Sequence, residues 1–142
     1  MNIAHLLPYT ATFPLQKHNG RYEWALRLAM IQAAKGHQVT IYSSPKSSGK
    51  NIEWKSIDIN LGDKTANNLS LIKLALSNDS HDIYHSHFDY LHYLLADQTS
   101  KPLLATQHWF PNKQTAEAAK LNKKQNVYTI APTTYMAKED RR

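Results

Sequence analysis

Short apolar runs bounded by turn residues alternate along the whole chain with segments of helical periodicity, and this alternation constrains the fold more than any other feature. Ile3 to Leu7 is an apolar run that ends at Pro8, the form expected of a buried strand. From Gly20, the residues Trp24, Ala25, Leu28, Ile31 and Gln32 recur at helical spacing. Leu26, Ala29, Met30 and Ala33 widen the apolar face, so a largely buried helix is predicted, closed by Gly36 as its C-terminal glycine. The β-branched run from Val39 to Ser43 reads as the second strand. Ile52 to Ile59 reads as a short strand near a sheet edge, with an ambiguous register.

Further along, Asn67 to Leu76 predicts a helix, Asp82 to His87 a strand, Tyr90 to Ala96 a helix and Pro102 to Gln107 a strand. Gln114 to Leu121 reads as helix, Val127 to Ala131 as strand, and a last helix begins at Thr133. The strands are too apolar to face water on one side, which argues for a parallel sheet covered on both faces. The expected fold is therefore α/β: three layers, with a mostly parallel sheet of about six strands.

Length agrees with one domain spanning 1–142, and no internal repeat is present. No stretch approaches the roughly 20 consecutive apolar residues of a membrane helix. The N-terminus lacks the basic flank of a signal peptide, so a soluble, cytoplasmic protein is expected. The absence of cysteine excludes disulfides, thiolate catalysis and thiolate metal sites. The net charge of +6 is spread from Lys17 to Arg142, with compact groups only at Lys120, Lys123 and Lys124 and at Arg141 and Arg142. No basic run is interleaved with aromatics, so nucleic acid is not an expected partner. The basic surface leaves peripheral association with the inner face of a membrane open.

In a sheet of this kind ligands bind beyond the carboxyl ends of the strands, where strand order reverses. The loop after the first strand ends in Asn19 and Gly20 at a helix N-terminus, whose amides and dipole suit a phosphate or carboxylate; a plain turn into the helix is the competing reading. His85 and His87 are two apart in a strand and point to one face, and His108 follows the next strand. With Asp89, His85 and His87 spell HxHxD, an order found in binuclear metallohydrolases, but the further ligands of those enzymes are missing. The alternative is hydrogen bonding of neutral imidazoles to a polyol or sugar. Trp109 and Phe110 offer either an apolar wall for a sugar face or a lid on the core, whereas His5 and His37 read as packing and turn residues.

Together these segments form a pattern. The stretch NGRYEWALRLAMIQAAKGHQVTIYS resembles the glycine-rich loop and first helix of retaining GT-B glycosyltransferases of family 4, including the GHxVT entry into the second strand. DIYHSH is similar to the family's strand ending in HxH, LLATQH to the next strand with its active-site histidine, and VYTIAPTTYMAKED to the strand and helix that follow. The resemblance covers essentially the whole chain. It implies a Rossmann-like domain that is one half of a GT-B fold, the N-terminal, acceptor-side half, with the C-terminal nucleotide-sugar domain supplied in cis or as a separate subunit.

By position, the resemblance places Asn19 and Gly20 beside the donor phosphates, gives His108 the catalytic contact to the transferred sugar, and puts His85, His87 and Trp109 around the acceptor. It implies hexosyl transfer from a nucleotide sugar to a hydroxyl of a carbohydrate or polyol with retention, without a cofactor or an obligatory metal, and a chain inactive alone. Two positions depart from the pattern. Asn19 stands where the family has its first glycine, and Tyr22 stands where many members carry glutamate, with Glu23 shifted by one. A stand-alone, non-catalytic module for a sugar or polyol phosphate or a nucleotide is the competing function.

Overall fold

A computed structural model describes residues 1–131 and carries one sheet of six parallel strands. In chain order the strands are β1 (Asn2–Leu6), β2 (Gln38–Tyr42), β3 (Glu53–Lys55), β4 (Ile83–Ser86), β5 (Leu103–Thr106) and β6 (Val127–Ile130). Three helices connect them: α1 (Gly20–Ala34), α2 (Lys64–Leu76) and α3 (Lys113–Ala119). The spatial order is β3-β2-β1-β4-β5-β6, so the connections run outward from β1 in one direction and then return to the other side of it. This is the doubly wound arrangement of a Rossmann-like domain, with its order reversal between β1 and β4.

Two apolar cores follow from the period-2 alternation of the strands. Ala4, Leu6, Tyr42, Tyr84, Leu103 and Ala105 face one way and pack with Leu71, Ile72 and Leu76 of α2. Val39 and Ile41 face the other way and pack with Ala25 and Ala29 of α1, along with Leu7, Ala11 and Phe13 from the loop after β1. The small Ala25 and Ala29, four apart, bring α1 close to the sheet.

Only that stripe is fully buried. Trp24, Met30 and Ile31 are exposed, so α1 is less buried than its composition predicts, because a helix on the outer layer meets the sheet along one face. Gly36 sits just past α1 at φ 89°, the left-handed geometry of a helix-ending glycine. The edge strand expected within 52–59 is present but only three residues long. The helix predicted over 90–96 is instead two short 3-10 turns, Leu91–Leu94 and Ala96–Gln98; after the first, Leu95 lies at φ −120°, outside the helical range. The helix expected from Thr133 lies outside the described residues.

Candidate functional site

The α1 side of the sheet changes character between β1 and β5. Neighbours in register are His5 on β1 and His85 on β4, and alternation puts His87, Thr106 and His108 on that same face. Where Val39 and Ile41 fill this layer over β2, imidazoles fill it over β1 and β4. His5, His85 and His87 are buried, while His108 is half-buried at the rim.

The rings form a hydrogen-bonded row. Gln32 of α1 places its side-chain oxygen 2.7 Å from His5 Nε2. His5 Nδ1 lies 3.0 Å from His87 Nε2, and His87 Nδ1 lies 3.0 Å from His108 Nε2. At both imidazole links the ring centroids are 5.3 Å apart, the separation expected when two rings meet edge to edge in line. His85 stacks on His87 at 4.6 Å and is held by Thr106 Oγ1 at 2.7 Å. Trp24 of α1 presents its indole edge-on to His85, His87 and His108.

Burial keeps these groups neutral. Desolvation lowers His5 and His108 to about 4 and His85 to about 3, and holds His87 well below the ordinary histidine value. Arg21 adds a further downward push on His87 and His108. At neutral pH the row therefore offers hydrogen-bond donors and acceptors and no positive charge.

His5, His85 and His87 each bring a ring nitrogen within 4.8 Å of the others, a spacing that invites a metal. The directions argue otherwise. Metal ligands converge on a shared point, whereas His5 Nδ1 and His87 Nε2 are aimed at each other across one proton, with the Arg21 guanidinium nearby. The HxHxD reading also comes apart, because Asp89 is paired with Arg21 at 2.9 Å and is no part of the trio.

Beside the row, at the reversal of strand order, lies a crevice of about 270 Å³ lined by Pro8, Arg21, Tyr22, Lys64, Asn68 and Asp89, among others. The Asn68 side chain is almost wholly buried, and its oxygen accepts the Tyr9 amide at 2.8 Å. Its NH₂ group is left without a protein partner among the described residues. Arg21 lines this crevice, and its charge also acts on His108 at the rim of the row.

The residues singled out from sequence are placed unequally. His85, His87 and His108 do come together, but His85 and His87 are buried and line no open cleft; of the three only His108 reaches solvent. Asn19 is the N-cap of α1, its side-chain oxygen accepting the Tyr22 amide at 3.2 Å. Gly20 begins the helix, and a Cβ there would meet nothing within 4 Å, so no close approach of backbone demands a glycine. A separate groove of about 560 Å³, lined by Thr12, Gln16, Lys17, His18, Asn19 and Lys46 among others, flanks this end of α1.

Trp109 is 71% exposed, touches only Phe110 among the aromatic rings of the described residues, and does not cover the histidines. Trp24 takes that place. His5, read from sequence as packing, is the inner imidazole of the row, and Gln32 is its anchor; the sequence carried a signal only for Gln32, two turns after Trp24 on α1.

No protein-family model matches this chain, and no curated protein matches it.

Proposed function

We propose that the chain is the acceptor-side domain of a retaining glycosyltransferase, which transfers a hexose from a nucleotide sugar to a hydroxyl of a carbohydrate or polyol. One observation carries the reading: a neutral histidine, His108, stands at the open end of an internally satisfied imidazole row, beside the crevice where strand order reverses. A neutral imidazole is suited to a sugar hydroxyl, with which it exchanges one directed hydrogen bond, and unsuited to charge pairing with an anion. The nucleotide-sugar domain would face this end of the sheet, in cis or from another subunit. Asn19 and Gly20 open α1 with first-turn amides that would receive donor phosphates; the Asn19 side chain takes only that of Tyr22. Among the described residues no helix is long and apolar enough to cross a membrane.

The test is transfer of labelled sugar from UDP- and GDP-hexoses to polyol and oligosaccharide acceptors, with the polypeptide isolated as it occurs in its source. The expected result is transfer that falls by about 100-fold or more in His108→Ala, the size of loss seen when a transition-state hydrogen bond is removed, with an unchanged circular dichroism spectrum. Near-normal turnover of that variant, or no transfer by the wild type, overturns the proposal. Saturable binding of a polyol phosphate or nucleotide without transfer would favour the binding-module reading instead.

A further inference from the structure

We infer that Gln32 and His5 are positioning residues that fix which nitrogen of His108 carries its proton, and so fix His108 as a hydrogen-bond acceptor toward its ligand. The inference rests on the proposed function only in taking His108 as the group that meets the ligand.

Tautomers along the row are set from its buried end outward. A neutral imidazole carries one N–H and one lone pair, so every hydrogen bond at one nitrogen dictates what the other can do. Gln32 faces His5 with its carbonyl oxygen, which only accepts, so the His5 proton sits on Nε2. His5 Nδ1 is then a lone pair, and the His87 Nε2–H must donate to it. His87 Nδ1 is in turn a lone pair, and the His108 Nε2–H donates to that. What remains on His108 is Nδ1, unprotonated and without a protein partner among the described residues.

Burial makes this coupling stiff. A second proton anywhere along the row would release the constraint, and desolvation opposes one on every ring. Reversing the row requires all three rings to change tautomer together and the Gln32 amide to turn over. A site ending in a lone pair selects a ligand that donates, such as the hydroxyl of a polyol or sugar, over a phosphate or carboxylate oxygen, which cannot. The side chain that makes this choice sits on α1, at the far end of the row from the ligand.

The experiment uses the intact chain labelled with ¹⁵N at histidine, in which long-range ¹H–¹⁵N spectra at pH 7 distinguish protonated from bare ring nitrogens directly. The expected spectrum shows His5, His87 and His108 each protonated at Nε2. Gln32→Met, close to isosteric but at most a weak acceptor at its thioether, should move His108 to a mixture of tautomers. A proton on His108 Nδ1 in the wild type, or a His108 signal unmoved by Gln32→Met, overturns the inference.

A transfer assay separates this outcome from failure of the proposed function. Gln32→Met should lower kcat in proportion to the fraction of His108 left in the other tautomer, about 2-fold for an even mixture, with little change in KM. Tautomers as expected in a protein that transfers no sugar would sink the glycosyltransferase reading and leave the polarised row standing.

Discussion

Acidification should begin to unfold this protein above the pH at which carboxylates ordinarily titrate. His5, His85, His87 and His92 are almost wholly buried, and desolvation lowers His5 to about 4, His85 and His92 to about 3, and His87 well below its ordinary value. These are bases with a depressed folded pKa, so the unfolded chain binds the extra protons and stability is lost as pH falls below about 6.5, until the folded values are reached. Integrating from pH 7 to pH 5, each such histidine removes about 2 kcal/mol, and four remove about 8 kcal/mol. That is comparable to the whole stability of an ordinary domain, about 5–15 kcal/mol. Unfolding is therefore expected between about pH 5.5 and 4. Urea melts followed by circular dichroism at pH 7, 6 and 5.5 give the slope directly, which should approach about 5 kcal/mol per pH unit as four protons are taken up. His92→Phe should lower that slope by about a quarter, since it removes one of four equal contributions. A stability that is flat from pH 7 to pH 5, or a chain still folded at pH 4, refutes the reasoning.

The α1 entry gives a pair of opposite signs: Asn19→Ala should cost about 1 kcal/mol by removing the Tyr22 cap, whereas Gly20→Ala should be neutral or slightly stabilising, both read by thermal melts. Asn126 donates from its buried amide to the carbonyls of Ala96, Thr99 and Lys101 at 3.0–3.2 Å, clasping the segment that leads into β5. Asn126→Leu should strand those carbonyls and cost about 2–3 kcal/mol, a fall in Tm of about 5–10 °C by calorimetry. Gly36→Ala forces a side chain into the left-handed region and should cost about 1–2 kcal/mol in chemical denaturation.

The fold was legible because its determinants are local. Apolar runs such as Val39 to Tyr42, closed by polar turns, and a glycine at the end of α1 state strand and helix without reference to the rest of the chain. The parallel sheet follows from strands with no wet face. What could not be read locally is depth. Trp24, Met30 and Ile31 are as apolar as Ala25 and Ala29, and only the placement of α1 on an outer layer separates them. The 90–96 segment failed for a related reason. Its residues suit a helix, but Asn122, Asn126 and Lys124 hold the neighbouring Ala96, Asp97 and Thr99 in place through bonds no periodicity reveals.

The site divides in the same way. Spacing alone puts His85 and His87 on one face, and succession of strand ends brings His108 near. The link through His5 depends on β1 and β4 being neighbours, a non-local fact that a chain with β2 and β3 inserted between them conceals. His5 in a strand between Ala4 and Leu6 looks like any polar residue tolerated in a core.

Packing alone gives no reason for these imidazoles. Ile3, Val39 and Ile41 show that aliphatic side chains fill this layer, and aliphatic residues at 5 and 87 would bury as well without the acid sensitivity worked out above. Natural sequences depart from such local rules where a site requires it. The double variant His5→Leu, His87→Leu puts the trade-off to the test. It should cut the stability lost between pH 7 and pH 5 from about 8 to about 4 kcal/mol, since two of the four depressed histidines are gone. The same variant removes the acceptor of His108 Nε2–H, so His108 should lose its single tautomer. If the variant gains acid stability and His108 keeps one tautomer, the buried rings serve packing alone. If His108 is released as stability rises, then holding that one exposed imidazole in a defined state is what the buried row is for.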